Sequence, residues 1–131
     1  MRILLAVPDR DLLSAYRILL EKDGMQVDTA FDGTQVLTKL SEAAADLVIL
    51  SRDIPRISSC RILNYCSEER IPVILLLSEK LTRKQLLAEN LPDALLELPF
   101  EYADLKAKID FVMDKQEGPA DEEKDQMGGA E

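Results

Sequence analysis

An α/β fold, with five parallel strands in one doubly wound (βα)5 sheet, is predicted by two features of this sequence. Short unbroken apolar runs alternate with longer stretches of helical periodicity, and cap residues stand at several of the junctions. Ile3–Val7 is the first run, short and continuous, as a strand buried on both faces requires. Leu12, Leu13, Tyr16, Leu19 and Leu20 then recur at helical spacing, and Gly24 stands where a left-handed residue closes a helix. Met25–Ala30 reads as the second strand. Asp32, with Gln35 three residues on, has the form of a capping box opening a helix to Ala45. Leu47–Leu50 is the third strand, and Ile57–Ser67 the third helix. Val73–Leu77 is the most apolar strand. Thr82 with Gln85 opens a fourth helix to Asn90, Ala94–Leu98 is the fifth strand, and Glu101–Lys115 the last helix.

The 131 residues suit one domain with a core of its own, here Leu, Ile, Val and Ala, since there is no Trp. The net charge of −9 is uneven. Glu117–Glu131 holds six acids against Lys124, which assigns −5 to this segment and −4 to the rest. The expected organisation is therefore a domain over 1–116 and an acidic, disordered tail over 117–131. An acidic body disfavours a phosphate-tracking surface, so no direct nucleic-acid contact is expected. The absence of His removes histidine acid–base chemistry, histidine metal ligation and a phosphohistidine role. Cys60 and Cys66, six apart in a helix, fall on different faces and read as free thiols in a reducing compartment. With no signal-peptide pattern and no apolar run of membrane-spanning length, the expectation is a soluble, cytoplasmic chain that does not engage a membrane.

In parallel sheets of this kind the functional crevice lies beyond the carboxyl ends of the strands. The loops of interest are Pro8–Asp11, Ser51–Arg56, Ser78–Leu81 and Leu98–Phe100.

The order of these elements, with Asp32-Gly33, the strand entered from Asp46, the Ile54-Pro55 turn, Ile71-Pro72 and Leu98-Pro99-Phe100, resembles the receiver domains of two-component response regulators. The likeness covers roughly residues 2–115, and it implies the flavodoxin-like receiver fold. It also implies a phosphorylation site, in which an acidic pair after the first strand holds a divalent cation and an aspartate ends the third strand. A hydroxyl ends the fourth strand, and a lysine precedes the proline after the fifth. Such a set offsets the charge of a transferring phosphoryl group.

At the matching positions this sequence has Val7 and Pro8 for the acids, Ser51 for the acceptor, Leu77 for the hydroxyl and Leu98 for the lysine. Leu95 stands at the aromatic position of the fifth strand. No catalytic residue, metal ligand or cofactor is expected from such a set. The losses are coherent, because a lysine left without its carboxylates is a costly unpaired charge. Polar residues remain nearby in Asp9, Arg52, Asp53 and Ser78. Asp9 reads as a helix N-cap and Asp53 as a solvated loop acid. Arg52 and Arg56 read as solvated, or as guanidinium groups that pair with Asp9, Asp53 or Glu79 and hold the loops in one state.

The resulting expectation is a pseudo-receiver, not an enzyme, that serves as a phosphorylation-independent interaction or signalling module. Its partner would be another protein or a second copy, met through Thr82–Asn90, Asp93–Glu97 and Glu101–Lys115, with Phe111 and Met113 as candidate anchors. The alternatives are phosphorylation through the displaced acids Asp9 and Asp53, or service as the regulatory domain of a larger transcriptional regulator. A nucleotide-binding role is disfavoured, since no P-loop or dinucleotide fingerprint follows any strand.

Overall fold

The computed structural model describes residues 1–77, 92–97 and 100–117. Over these residues the chain forms β1 (Arg2–Ala6), α1 (Arg10–Lys22), β2 (Gln26–Ala30), α2 (Gly33–Glu42), β3 (Leu47–Ser51), α3 (Ser59–Glu68), β4 (Val73–Leu77), β5 (Ala94–Glu97) and α4 (Tyr102–Glu117). The strands pair in parallel in the order β2-β1-β3-β4-β5. The helix expected over Thr82–Asn90 lies outside the described residues, as do Ser78, Leu98 and the acidic segment after Glu117, the last residue of α4.

Pleating separates two cores. Ile3, Leu5, Ile49, Ile74 and Leu76 meet Leu13, Tyr16 and Leu20 of α1 and Leu105, Ile109 and Val112 of α4. Leu4, Leu50, Leu75 and Leu77 meet Val36 and Leu40 of α2 and Ile62 and Cys66 of α3. Each fully buried Leu or Ile contributes about 1.5–3 kcal/mol relative to exposure. In α4 the buried stripe leaves Met113 half-buried against the core and Phe111 at 56% exposure.

Cap chemistry sets most helix ends. Asp9 accepts the N–H groups of Asp11 (2.9 Å) and Leu12 (3.2 Å), as an N-cap does. Asp32 accepts the Gln35 N–H at 2.8 Å, while Gln35 Oε1 reaches back to the Phe31 N–H, one residue beyond the cap. α1 closes on Gly24 at φ +88°, with Met25 N–H donating to Leu20 O. α3 closes through the same pattern, with Arg70 at φ +61° in the left-handed position and Ile71 N–H donating to Cys66 O at 2.8 Å.

Most boundaries shift by a residue or two, and two helix boundaries differ for a clear physical reason. α2 stops at Glu42 although Ala43–Ala45 favour helix, because Ala45 buries in the core and the chain must enter β3. There Asp46 N–H donates to Arg2 O and Asp46 Oδ2 accepts the Arg2 N–H, both at 2.8 Å. α3 starts at Ser59 rather than Ile57, since Arg56 turns at φ +77° and Ser58 caps the helix.

Gly33 sits where α2 meets the β3–α3 loop. A Cβ there would stand 2.6 Å from Ile57 Cβ and 2.8 Å from Ile57 O. Gly33→Ala is expected to cost about 1–3 kcal/mol by overpacking. Arg70→Gly is expected to stabilise by about 0.5–1 kcal/mol, because it removes left-handed strain at a small entropic cost. Urea unfolding of both variants checks the opposite signs.

Candidate functional site

The carboxyl rim of the sheet is defined by ladder register. Ala6 pairs with Leu50 and Ala30, and Ser51 with Leu76. Val7 N–H still donates to Ala30 O at 3.1 Å, and Arg52 N–H to Leu76 O at 2.9 Å. The ends of β1, β3 and β4 therefore bring residues 7 and 51 level with Leu76, and Leu77 follows one residue further along the rim.

Two of these residues carry only hydrocarbon there. Val7 is 4% exposed and packs into the core shared with α1 and α4. Leu77 is 3% exposed and packs into the opposite core, against α2 and α3. Both extend the interior up to the rim. Pro8 is half-buried and supplies no side-chain oxygen. Ser51 is half-buried; its Oγ accepts the Asp53 N–H at 3.3 Å and its carbonyl accepts the Ile54 N–H at 3.2 Å. The hydroxyl thus stabilises its own loop. Leu95 is half-buried within β5, packed against the α2/α3 core.

Among the described residues, the neighbouring polar side chains do not assemble a cation site. The Asp9 carboxylate is directed at the first turn of α1, and Asp53 is exposed in the β3–α3 loop. Among the described residues, no group of three or more His, Cys, Asp or Glu side chains is placed to hold a metal ion. A divalent cation needs several oxygen ligands, and the residues at positions 7 and 8 offer none from their side chains. They do not fit the group that the resemblance implies.

The partner of Arg56 differs from those the sequence suggested. Arg52 is half-buried beside the end of β4. Arg56 pairs with Asp32, at 3.4 Å from Nε to Oδ2, and not with Asp9 or Asp53; Glu79 lies outside the described residues. The reason is the turn at Arg56, which aims its side chain at the start of α2. The Gly33 N–H bonds Pro55 O at 2.8 Å, so backbone and side chain together tie the β3–α3 loop to α2. Asp32-Gly33 was visible in the sequence; its loop partner was not.

A second feature lies at the opposite end of the sheet. Leu63, Cys66, Arg70, Pro72, Pro92 and Asp93 bound a cavity of about 350 Å³. Asp93 Oδ2 accepts the Val73 N–H at 2.8 Å. Burial pushes the Cys66 thiol up to about 12, with the nearby Asp93 charge adding to the effect.

No protein-family model matches the sequence. The transcriptional regulatory protein DltR of Streptococcus agalactiae is 30% identical over 112 residues, which cover 83% of this chain and 50% of that protein. The DNA-binding response regulator MtrA of Mycobacterium tuberculosis is also 30% identical over 112 residues, covering 82% and 48%. The chain thus spans about half the length of the curated relatives it matches. A response regulator receiver domain protein from Clostridium thermocellum superposes with a TM-score of 0.78 at 25% identity, over 88% of this chain and 96% of that one.

Two measurements follow from this geometry. Asp32→Ala is expected to cost about 1–2 kcal/mol by loss of the α2 cap, and Arg56→Ala under about 1 kcal/mol because its side chain is 71% exposed. Chemical denaturation separates the two. The Cys66 thiol keeps its proton in the folded state above the pH at which the unfolded thiol ionises. Stability is therefore expected to fall as pH rises from about 9 towards about 12. By pH 10 the loss should reach about 1 kcal/mol, and Cys66→Ala should remove that part of the slope.

Proposed function

The chain carries the receiver fold and is related in sequence to response regulators, and from that premise we propose that it is a two-component-type receiver domain that works as a protein-binding module without being phosphorylated. The observation that carries this reading is the hydrocarbon rim. Val7 and Leu77 are buried in opposite cores where a cation-binding acid and a phosphate-facing hydroxyl are required, and Pro8 has no oxygen ligand to add. Developing charge on a transferring phosphoryl group needs fixed cations or donors within a few ångströms. At Val7 and Leu77 that group would meet hydrocarbon.

Ser51 and Leu98 complete the proposed set of retired positions. The serine hydroxyl already serves the Asp53 N–H, and no histidine exists to act as its base. Phosphorylation through displaced acids is the weaker reading, since the Asp9 carboxylate is engaged by two helix N–H groups. Asp53, Arg52 and Ser78 are the remaining polar residues proposed for the rim region.

The signal in such a domain lies in who binds it, so it is a signalling module and not an enzyme. β5 and α4, with the exposed Phe111, belong to the proposed partner or self-association face; Thr82–Asn90, its other part, lies outside the described residues. No direct nucleic-acid contact or cofactor is proposed, and the site of action is cytoplasmic. Among the described residues no helix is long and apolar enough to cross a membrane. The span of the relatives favours one companion reading, in which a domain of this kind is the regulatory part of a larger transcriptional regulator.

Incubation with acetyl phosphate and Mg²⁺, followed by intact-mass measurement, tests the central claim. The expected result is no gain of a phosphoryl group, either for this chain or for Ser51→Asp alone, because a restored acceptor still lacks its cation ligands. Stoichiometric modification of the unaltered chain, or calorimetric capture of beryllofluoride, would overturn it.

A further inference from the structure

We propose that the cavity between the end of α3 and the entry to β5 binds a free amino acid with an apolar side chain, its carboxylate on Arg70 and its ammonium beside Asp93. The inference goes beyond the reading of the domain as a protein-binding module and does not rest on it.

The cavity holds about 350 Å³, at the small end of the roughly 300–1,000 Å³ of small-molecule sites. Its walls come from the last two turns of α3, the turn into β4 and the chain entering β5. Leu63, Cys66 and Val73 belong to the buried core beneath α3, so the floor is hydrocarbon and one thiol. Burial, and then the Asp93 charge, keep that thiol protonated, which makes the floor uncharged and a poor nucleophile.

The charges in the walls select the ligand. Arg70 and Asp93 are the two lining residues that are ionised at neutral pH. They do not pair with each other, and among the described residues the Arg70 guanidinium forms no ion pair. Asp93 is half-buried, and the bond from Val73 N–H to Oδ2 at 2.8 Å fixes its carboxylate while leaving acceptor capacity free. Opposite charges on the walls of one cavity, not joined to each other, match a ligand that carries both signs.

The backbone at Arg70 points the same way. α1 and α3 close through the same pattern, with a left-handed residue followed by an N–H that returns to the last turn. α1 uses Gly24 there, at φ +88°, whereas α3 has Arg70 at φ +61°. The turn itself needs no side chain, so the strained arginine is explained by what its guanidinium does at the lip of the cavity.

A zwitterion has no net charge, so the −9 of the chain does not repel it. A plain anion would meet Asp93, and a plain cation would meet Arg70. The hydrocarbon of Leu63, Ile71 and Pro92 receives the side chain.

The test titrates the ¹⁵N-labelled full chain with L-leucine and with L-phenylalanine. N-acetyl-L-leucine, which lacks the ammonium, and L-leucinamide, which lacks the carboxylate, are the controls. Expected are saturable shifts centred on the amides of residues 66–73 and 93–94, with each control binding about ten-fold more weakly or worse. Arg70→Gly and Asp93→Asn are expected to weaken binding by a similar factor. Arg70→Gly suits the left-handed turn, so it keeps the test decisive if Asp93→Asn fails to fold. The absence of saturable shifts with both amino acids, controls that bind as well as L-leucine, shifts centred on the carboxyl rim, or unchanged affinity in Arg70→Gly would each overturn the proposal. Phosphorylation by acetyl phosphate would overturn the functional reading and leave this site untouched.

Discussion

The constraint on which this molecule depends is a parallel sheet whose central strands are buried on both faces. Ile3–Ala6, Leu47–Leu50 and Val73–Leu77 are all enclosed, so their peptide groups have neighbouring strands and not water as partners. That requirement sets the register, and the register carries residues 7, 51 and 77 to the same rim whatever their side chains are. What can happen at the rim is then decided by residue chemistry alone. With Val7 and Leu77 there, the two cores extend to the end of the sheet, and an ionised group placed among them would carry a desolvation cost.

A different interaction holds the loop beyond β3. Asp32 caps α2, accepts the Arg56 guanidinium, and precedes the glycine that lets Ile57 approach the helix. The exposed ion pair is the weakest of these links, because water screens it. Backbone hydrogen bonding at Gly33 and close contact with Ile57 do most of the holding. This linkage is made by a side-chain cap, a backbone hydrogen bond and an ion pair. It also fixes the backbone at Phe31, one residue before the cap, whose N–H is held by Gln35 Oε1.

Between α1 and α4, the Tyr102 hydroxyl donates to Asp23 Oδ2 at 2.5 Å, with Leu19 O a longer, shared acceptor at 3.3 Å, and Tyr16 stacks on Phe100 at 5.4 Å. These contacts join α1 to α4 across the same face. Burial first, and then the bond to Asp23, raise the Tyr102 hydroxyl above its usual range, so it stays protonated as a donor. Helix packing and hydrogen bonding thus agree on one arrangement of this layer.

Much of this protein was determined by sequence alone, because the signals are local. Strands buried on both faces must be continuous apolar runs, as Val73–Leu77 is. Caps need a particular side chain within a few residues of the N–H groups they serve, as Asp9 and Asp32 do. The side-chain chemistry at the rim positions could also be read without coordinates. Only the tertiary structure decided that α2 stops before three alanines, that Arg56 turns left-handed onto Asp32, and that Phe31 is held beneath Arg10. Those outcomes join residues far apart in the chain, through contacts whose free energy outweighs local propensity. No periodicity or spacing within one segment encodes them.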